Sequence, residues 1–242
     1  MEFQNIYYPE NKFGGFTRVD GTIAFYTRVA SLLEPDFTVL DYGCGRGRYQ
    51  DDEVKIRRDL RIYKGKVKKI IGVDINKAAA GNPYIDEFQL IRSEKWPLGD
   101  NSVDLCVCDW VMEHIKDPAI FFSEAQRVIK PGGYLCVRTS NAWGYAGIFS
   151  RLIPNRFHAK ILSKVQNERK EEDVFPTYTT CNTPRKMRAF LDKSNFDYVV
   201  YTHEAEPAYL HFSRFFYWFG VLYQRLAPPA VRRSIFAFAQ KK

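Results

Sequence analysis

Val39-Leu40-Asp41-Tyr42-Gly43-Cys44-Gly45-Arg46-Gly47 is the stretch on which the reading of this chain turns. An apolar run over residues 37–42 feeds directly into a turn with glycine at every second position. Glycine tolerates positive φ, and without a Cβ it lets another molecule approach the backbone closely. A strand that ends in such a turn places a ligand at its carboxyl end. Ordinary tight turns use glycine too, so the flanking residues must decide.

The next apolar run, residues 69–74, ends in Ile71-Gly72-Val73-Asp74. An acid at the end of the second strand accepts hydrogen bonds from ribose hydroxyls in nucleotide-binding folds, though it can equally cap a helix. Residues 87–91, 103–109 and 134–139 give three further strand signals. Between the last two, Ile120, Phe121, Ala125, Val128 and Ile129 share one helical face over residues 118–129. Asp117 supplies the cap, Pro118 the first turn, and Pro131-Gly132-Gly133 the stop. Beyond these lie a helix at 183–193 and strands at 198–202 and 234–239. Strands that alternate with helices predict a parallel sheet covered on both faces. Two segments interrupt the pattern, residues 141–182 and 204–233.

A chain of 242 residues suits one domain with a large core. Its formal charge of +8 favours an anionic partner, be it nucleic acid, an acidic membrane surface or an anionic substrate. The five cysteines are odd in number and lack a Cys-x-x-Cys pair, which argues against a disulfide framework and a zinc site. Cys106, Cys108 and Cys136 fall in strand patterns, where a thiol is a small buried hydrophobe. Residues 1–15 lack the basic-then-apolar order of a signal peptide. The longest apolar stretch, around residues 215–222, is far shorter than the ~20 residues that span a bilayer. The expectation is a cytoplasmic protein, with peripheral contact at the inner membrane as a variant. Nothing in the sequence selects an oligomeric state.

Three more segments complete an ordered series over residues 37–140: Trp96-Pro97-Leu98 followed by Asn101-Ser102-Val103-Asp104, then Met112-Glu113-His114-Ile115-Lys116-Asp117-Pro118, then Arg127-Val128-Ile129-Lys130-Pro131-Gly132-Gly133. The series resembles class I S-adenosylmethionine-dependent methyltransferases of the UbiE/UbiG-like group. The resemblance implies a single Rossmann-like α/β domain. Its seven-stranded, mostly parallel sheet would carry helical insertions after strands five and six. It implies S-adenosylmethionine as cofactor. Asp41, Gly43, Gly45 and Gly47 would hold its methionine part, and Asp74, with Ile75 beside it, the ribose. Ser93 and Glu94 would flank the adenine, and Asp109 and Trp110 would face cofactor and substrate. Two departures stand out. Arg92-Ser93 replaces the family's Asp-Ala, and the stretch between Gly47 and Ile70 is long and basic, a pattern also typical of a solvated helix and loop. Residues 52–66 and 169–178 are similar to a bacterial methyltransferase group found among glycan-assembly enzymes, which implies a glycan-like acceptor.

Methyl transfer from a sulfonium is an in-line displacement, and a hydroxyl acceptor must also lose a proton. His114, just beyond the fourth strand, is the candidate general base, since imidazole titrates near neutral pH; a capping histidine is the competing reading. Trp143, Tyr145, His158 and Tyr178 in the first interrupting segment are candidate substrate contacts. Glu113 and His114 match a metal-holding pattern of the UbiG-like branch, but Trp110 stands where a further acid is expected, so no metal is assigned. The fourth strand ends Cys108-Asp109-Trp110-Val111, without the Pro-Pro-aromatic grip used on base nitrogens, which disfavours a nucleic-acid substrate. The expected activity is O-methylation of a sugar or glycan-like hydroxyl. The rivals are a lipid or quinone-like phenol at a membrane, met by the aromatic and basic residues 212–233, and a cofactor-binding protein without catalysis. In this topology both interrupting segments should leave the carboxyl edge of the sheet and roof the cofactor as a lid.

Overall fold

The computed structural model describes residues 3–145, 147–148 and 176–242. In chain order it contains α1 (Gln4–Tyr7), α2 (Gly21–Ala30), β1 (Thr38–Tyr42), α3 (Lys55–Arg61), β2 (Lys69–Asp74), β3 (Glu87–Leu90), β4 (Val103–Asp109), α4 (Pro118–Val128), β5 (Ile129–Ser140), α5 (Pro184–Lys193), β6 (Phe196–His203), α6 (Arg214–Leu226) and β7 (Ser234–Lys241). The strands form one seven-stranded sheet in the order β3-β2-β1-β4-β5-β7-β6. The first five are parallel, and β7 runs antiparallel between β5 and β6. β6 is therefore parallel to β5, and the sheet is mostly parallel, as the Rossmann-like reading requires.

Each strand sends alternate side chains to opposite faces. In β4, Leu105 and Val107 join Phe25 and Val29 of α2 on one side. Cys106 and Cys108 join Phe121 and Phe122 of α4 and Leu191 of α5 on the other. All five cysteines are buried and unpaired by disulfide. Caps fix the helix starts. Asp20 accepts from the amides of Thr22 and Ile23, Asp117 from Ala119 and Ile120, and Thr183 from Lys186.

The strand predicted at 134–139 begins earlier, at Ile129. Pro131-Gly132-Gly133 does not end the chain's regular structure; it forms an irregularity within β5, where the register to β4 shifts between Val103 and Leu105. Gly132 has φ +77°, and a Cβ at Gly133 would lie 2.7 Å from the Asp104 carbonyl oxygen. The glycines thus serve the strand pairing itself.

Ser140 at the end of β5 and His203 at the end of β6 both face Ser234. Residues 141–182 and 204–233 therefore both depart from the carboxyl edge of the sheet. The ends of the two segments are laced there: the Asn141 amide donates to the Arg233 carbonyl at 2.7 Å, and the Ala142 amide to Asn182 at 2.7 Å. Among the described residues no helix is long and apolar enough to cross a membrane.

Candidate active site

The glycine loop follows β1 at the same carboxyl edge. Gly43, Gly45 and Gly47 all have positive φ, at +73°, +52° and +69°. A Cβ at Gly43 would lie 2.4 Å from Val111, and one at Gly47 would lie 2.5 Å from Asn82 Oδ1. A Cβ at Gly45 would meet nothing within 4 Å. The outer two glycines are thus required by close packing, whereas Gly45 keeps its backbone open to the space in front of it. Asn82 props the loop from behind, donating to the carbonyls of Cys44 at 3.0 Å and Gly45 at 3.3 Å.

That space is a cleft of about 580 Å³. Its walls include the glycine loop, Asp74 and Ile75 after β2, Asp109 and Trp110 after β4, and His114. Asp74 is buried, with one carboxylate oxygen accepting from the Gly45 amide at 3.0 Å and the other from the Asn76 amide at 2.8 Å. A carboxylate has about four acceptor positions, so both oxygens retain capacity for a pair of ribose hydroxyls. Ile75, by contrast, is 64% exposed at the wall of the cleft. An apolar side chain laid open beside a ribose-type acid fits the face of an adenine. The open Gly45 cradle, the buried acid and the bare isoleucine together fit S-adenosylmethionine.

Three carboxylates approach one another behind the loop. Burial, with repulsion from Asp109 and Asp74, pushes Asp41 up to about 7. Asp109 is held by Arg138 through two bonds of 2.6 Å and by the Tyr26 hydroxyl at 2.8 Å. The Arg138 guanidinium reaches Thr22 at 3.0 Å and lies 5.3 Å from the Trp110 ring centre. Trp110 itself has φ +56°, an uncommon conformation for a bulky residue, and its amide donates to the Arg138 carbonyl. The turn after β4 is thereby held by β5 and α2.

His114 Nδ1 lies 2.9 Å from the Pro176 carbonyl oxygen. A carbonyl only accepts, so this bond places the proton on Nδ1 and the imidazole lone pair on Nε2. The neighbouring Glu113 is buried and points away from solvent, accepting from the Thr139 hydroxyl at 2.7 Å. Burial raises its pKa, with the Thr139 bond opposing. Asn182 donates to the same Thr139 oxygen at 2.7 Å, which ties the turn carrying His114 to the end of the first interrupting segment. Among the described residues there is no group of three or more His, Cys, Asp or Glu side chains that could hold a metal ion.

The remaining candidates are more scattered. Ser93 and Glu94 are exposed, and Ser93 lines an adjoining hollow with Gln89, Arg92 and Lys95. Trp143 is 55% exposed and is not among the cleft-lining residues. Tyr145 lines a separate apolar groove along α6, with its ring edge-on to Tyr223. Tyr178 is 45% exposed, and its amide donates to the Glu113 carbonyl at 2.8 Å, which puts its backbone beside His114. His158 lies outside the described residues. Three contributors were not foreseen. Tyr26 and Thr22 come from α2, whose signal was Asp20 as cap with Phe25 and Val29 four apart. Arg61, in the basic stretch read as solvated, lines the cleft and sits 3.7 Å from Asp52.

Residues 40–137 match the family model of a methyltransferase domain. A probable S-adenosylmethionine-dependent methyltransferase of Mycolicibacterium smegmatis is 32% identical over 134 residues, which are 53% of this chain and 47% of that protein. The demethylmenaquinone methyltransferase of Symbiobacterium thermophilum is 30% identical over 133 residues, 50% of this chain and 47% of its own. The chain thus spans about half the length of these curated relatives. Among solved structures, an S-adenosylmethionine-dependent methyltransferase of Thermotoga maritima superposes with a TM-score of 0.55 at 17% identity, covering 100% of this chain and 97% of its own. Residues 40–137, with the glycine loop and Asp74 at their cleft, thus match a methyltransferase domain, and the chain has the fold of S-adenosylmethionine-dependent methyltransferases.

Proposed function

We propose that this chain methylates a hydroxyl group of a sugar or glycan-like acceptor, with His114 as general base. S-adenosylmethionine, when bound, supplies a methyl group activated on a sulfonium. The observation that carries the reading is the position of His114. It lines the same cleft as Gly45 and Asp74, and its Nδ1 bond to Pro176 directs basicity to Nε2. A hydroxyl placed between Nε2 and the methyl group would give up its proton to Nε2 as its oxygen forms the new bond to carbon. Asp109, fixed by Arg138 and Tyr26, keeps the end of β4 in place at the cleft. Arg46, Arg48, Arg61 and Lys116 also line the cleft, a polar and cationic wall suited to an anionic or hydroxyl-rich acceptor.

Residues 141–182, of which 146 and 149–175 lie outside the described residues, and 204–233 would form the acceptor side as a lid. Both depart from the carboxyl edge, and the first returns to meet His114 through Pro176 and Glu113 through Tyr178. A second reading, a lipid-like or quinone-like phenol as acceptor, is favoured by the exposed aromatics of α6 and by the similarity to a demethylmenaquinone methyltransferase.

Transfer of labelled methyl from S-adenosylmethionine into nucleotide sugars and oligosaccharides, compared with quinols in detergent, separates the two. With the true acceptor, His114→Ala should lower turnover by about a hundredfold or more while cofactor affinity stays within about twofold. A variant that turns over like the wild type would remove His114 from the chemistry. Labelling of quinols alone would favour the second reading.

A further inference from the structure

We propose that α6 is an in-plane membrane anchor that lays its outer face on an anionic phospholipid surface. Such an anchor would fix where the protein works, whichever hydroxyl it methylates.

The inner face of α6 is fixed to the protein. Tyr217, Gly220 and Val221 are buried, and Tyr217 and Val221 pack with Tyr8 of the amino-terminal segment. A Cβ at Gly220 would lie 2.4 Å from the Pro207 ring, so the helix packs closely on that loop. The helix therefore cannot roll to hide its other side. On that side stand Phe215, Phe219, Leu222 and Leu226, spaced i, i+4, i+7 and i+11, with exposures of 63%, 46%, 40% and 70%. Phe212, Phe216 and Trp218 widen the stripe, and each is at least 44% exposed. Soluble monomers seldom leave so contiguous an apolar surface open to water.

The charge pattern selects the occupant. Arg214 and Arg225 are exposed and eleven residues apart, which at 3.6 residues per turn puts both along one border of the stripe. From residue 207 to residue 242 the chain has no Asp or Glu, while it has Arg214, Arg225, Arg232 and Arg233. A thirteen-residue helix with one apolar face, bordering arginines and no acids cannot span a bilayer. It has the build of a helix that buries its apolar face at the acyl boundary and meets phosphates with its arginines. Phenylalanine and tryptophan suit that depth. α6 also hangs from the carboxyl edge that carries the cleft, because its segment leaves the sheet after His203. Docking through α6 thus holds the cleft close to the lipid surface.

The test uses the full chain and co-sedimentation with phosphatidylcholine vesicles, with and without phosphatidylglycerol. Wild-type protein should pellet with the anionic vesicles and be released by high salt. Phe215→Gln combined with Phe219→Gln should weaken partitioning by about tenfold or more. Arg214→Gln combined with Arg225→Gln should abolish the preference for anionic lipid. Unchanged affinity for S-adenosylhomocysteine in all variants would show that they fold. Wild-type protein that stays in solution with both vesicle types would overturn the proposal. So would a stable dimer in sedimentation velocity that the Phe variants dissociate, since a second copy would then cover the stripe.

Discussion

Asp41 shows how much one side chain in this cleft depends on its neighbours. Its pKa is driven up to about 7 first by burial and then by Asp109 and Asp74. Below that pH it is neutral, and above it is ionised. A cofactor that carries sulfonium and ammonium charges binds better to the ionised form, so affinity should fall as pH drops through about 7. The expected loss between pH 8 and pH 6 is up to about tenfold, read by calorimetry in wild-type protein. Asp41→Asn should bind weakly at both pH values, with the slope gone. A wild-type affinity that stays flat over this range would mean that Asp41 does not face the cofactor. The sequence showed Asp41 as part of the motif, but not this shift, which depends on carboxylates from three separate strands. It likewise showed His114 but not its tautomer, because the partner Pro176 is 62 residues away.

At the scale of elements, the turn after β4 is held from outside its own segment. Arg138 of β5 is 3% exposed and pairs with Asp109 at 2.6 Å, while Tyr26 of α2 completes the set. Removing one partner of a buried pair leaves an uncompensated charge. Arg138→Met should therefore cost roughly 3 kcal/mol in urea unfolding, and it should also weaken cofactor binding by loosening Asp109 and Trp110. A loss below about 0.5 kcal/mol would show that Asp109 finds other partners. Such a clamp has no sequence signature, because it joins residues 22, 26, 109 and 138 only once the sheet is built. Strand positions were legible for the opposite reason. Runs such as residues 69–74 and 103–109 carry their own period and end in their own acids, and β2 and β4 match them at both ends. The early start of β5 escaped because Pro-Gly-Gly usually ends regular structure, whereas here the glycines accommodate a strand irregularity against Asp104.

For the whole molecule, the parallel direction of the first strands followed from the alternation of strands and helices, whereas the seven-stranded sheet and the edge from which the two long segments depart followed from the resemblance. The course of those segments was not legible. The sequence shows their aromatic content, but which aromatics of residues 204–233 are buried is set by packing partners far away in sequence, as Tyr8 against Tyr217 shows. The proposed cofactor site lies in the cleft rather than in these segments, with the Gly45 cradle and Asp74 as its two holds on S-adenosylmethionine. Isothermal calorimetry with S-adenosylmethionine tests it most directly, on wild-type protein, Gly45→Val and Asp74→Ala. Gly45→Val puts a branched side chain at positive φ into the open cradle, and Asp74→Ala removes the ribose acceptor. The wild type should bind one cofactor per chain, and each variant should lose affinity by about a hundredfold. Wild-type affinity retained in both variants, or no binding by the wild type, would remove the Gly45 cradle and Asp74 from cofactor binding.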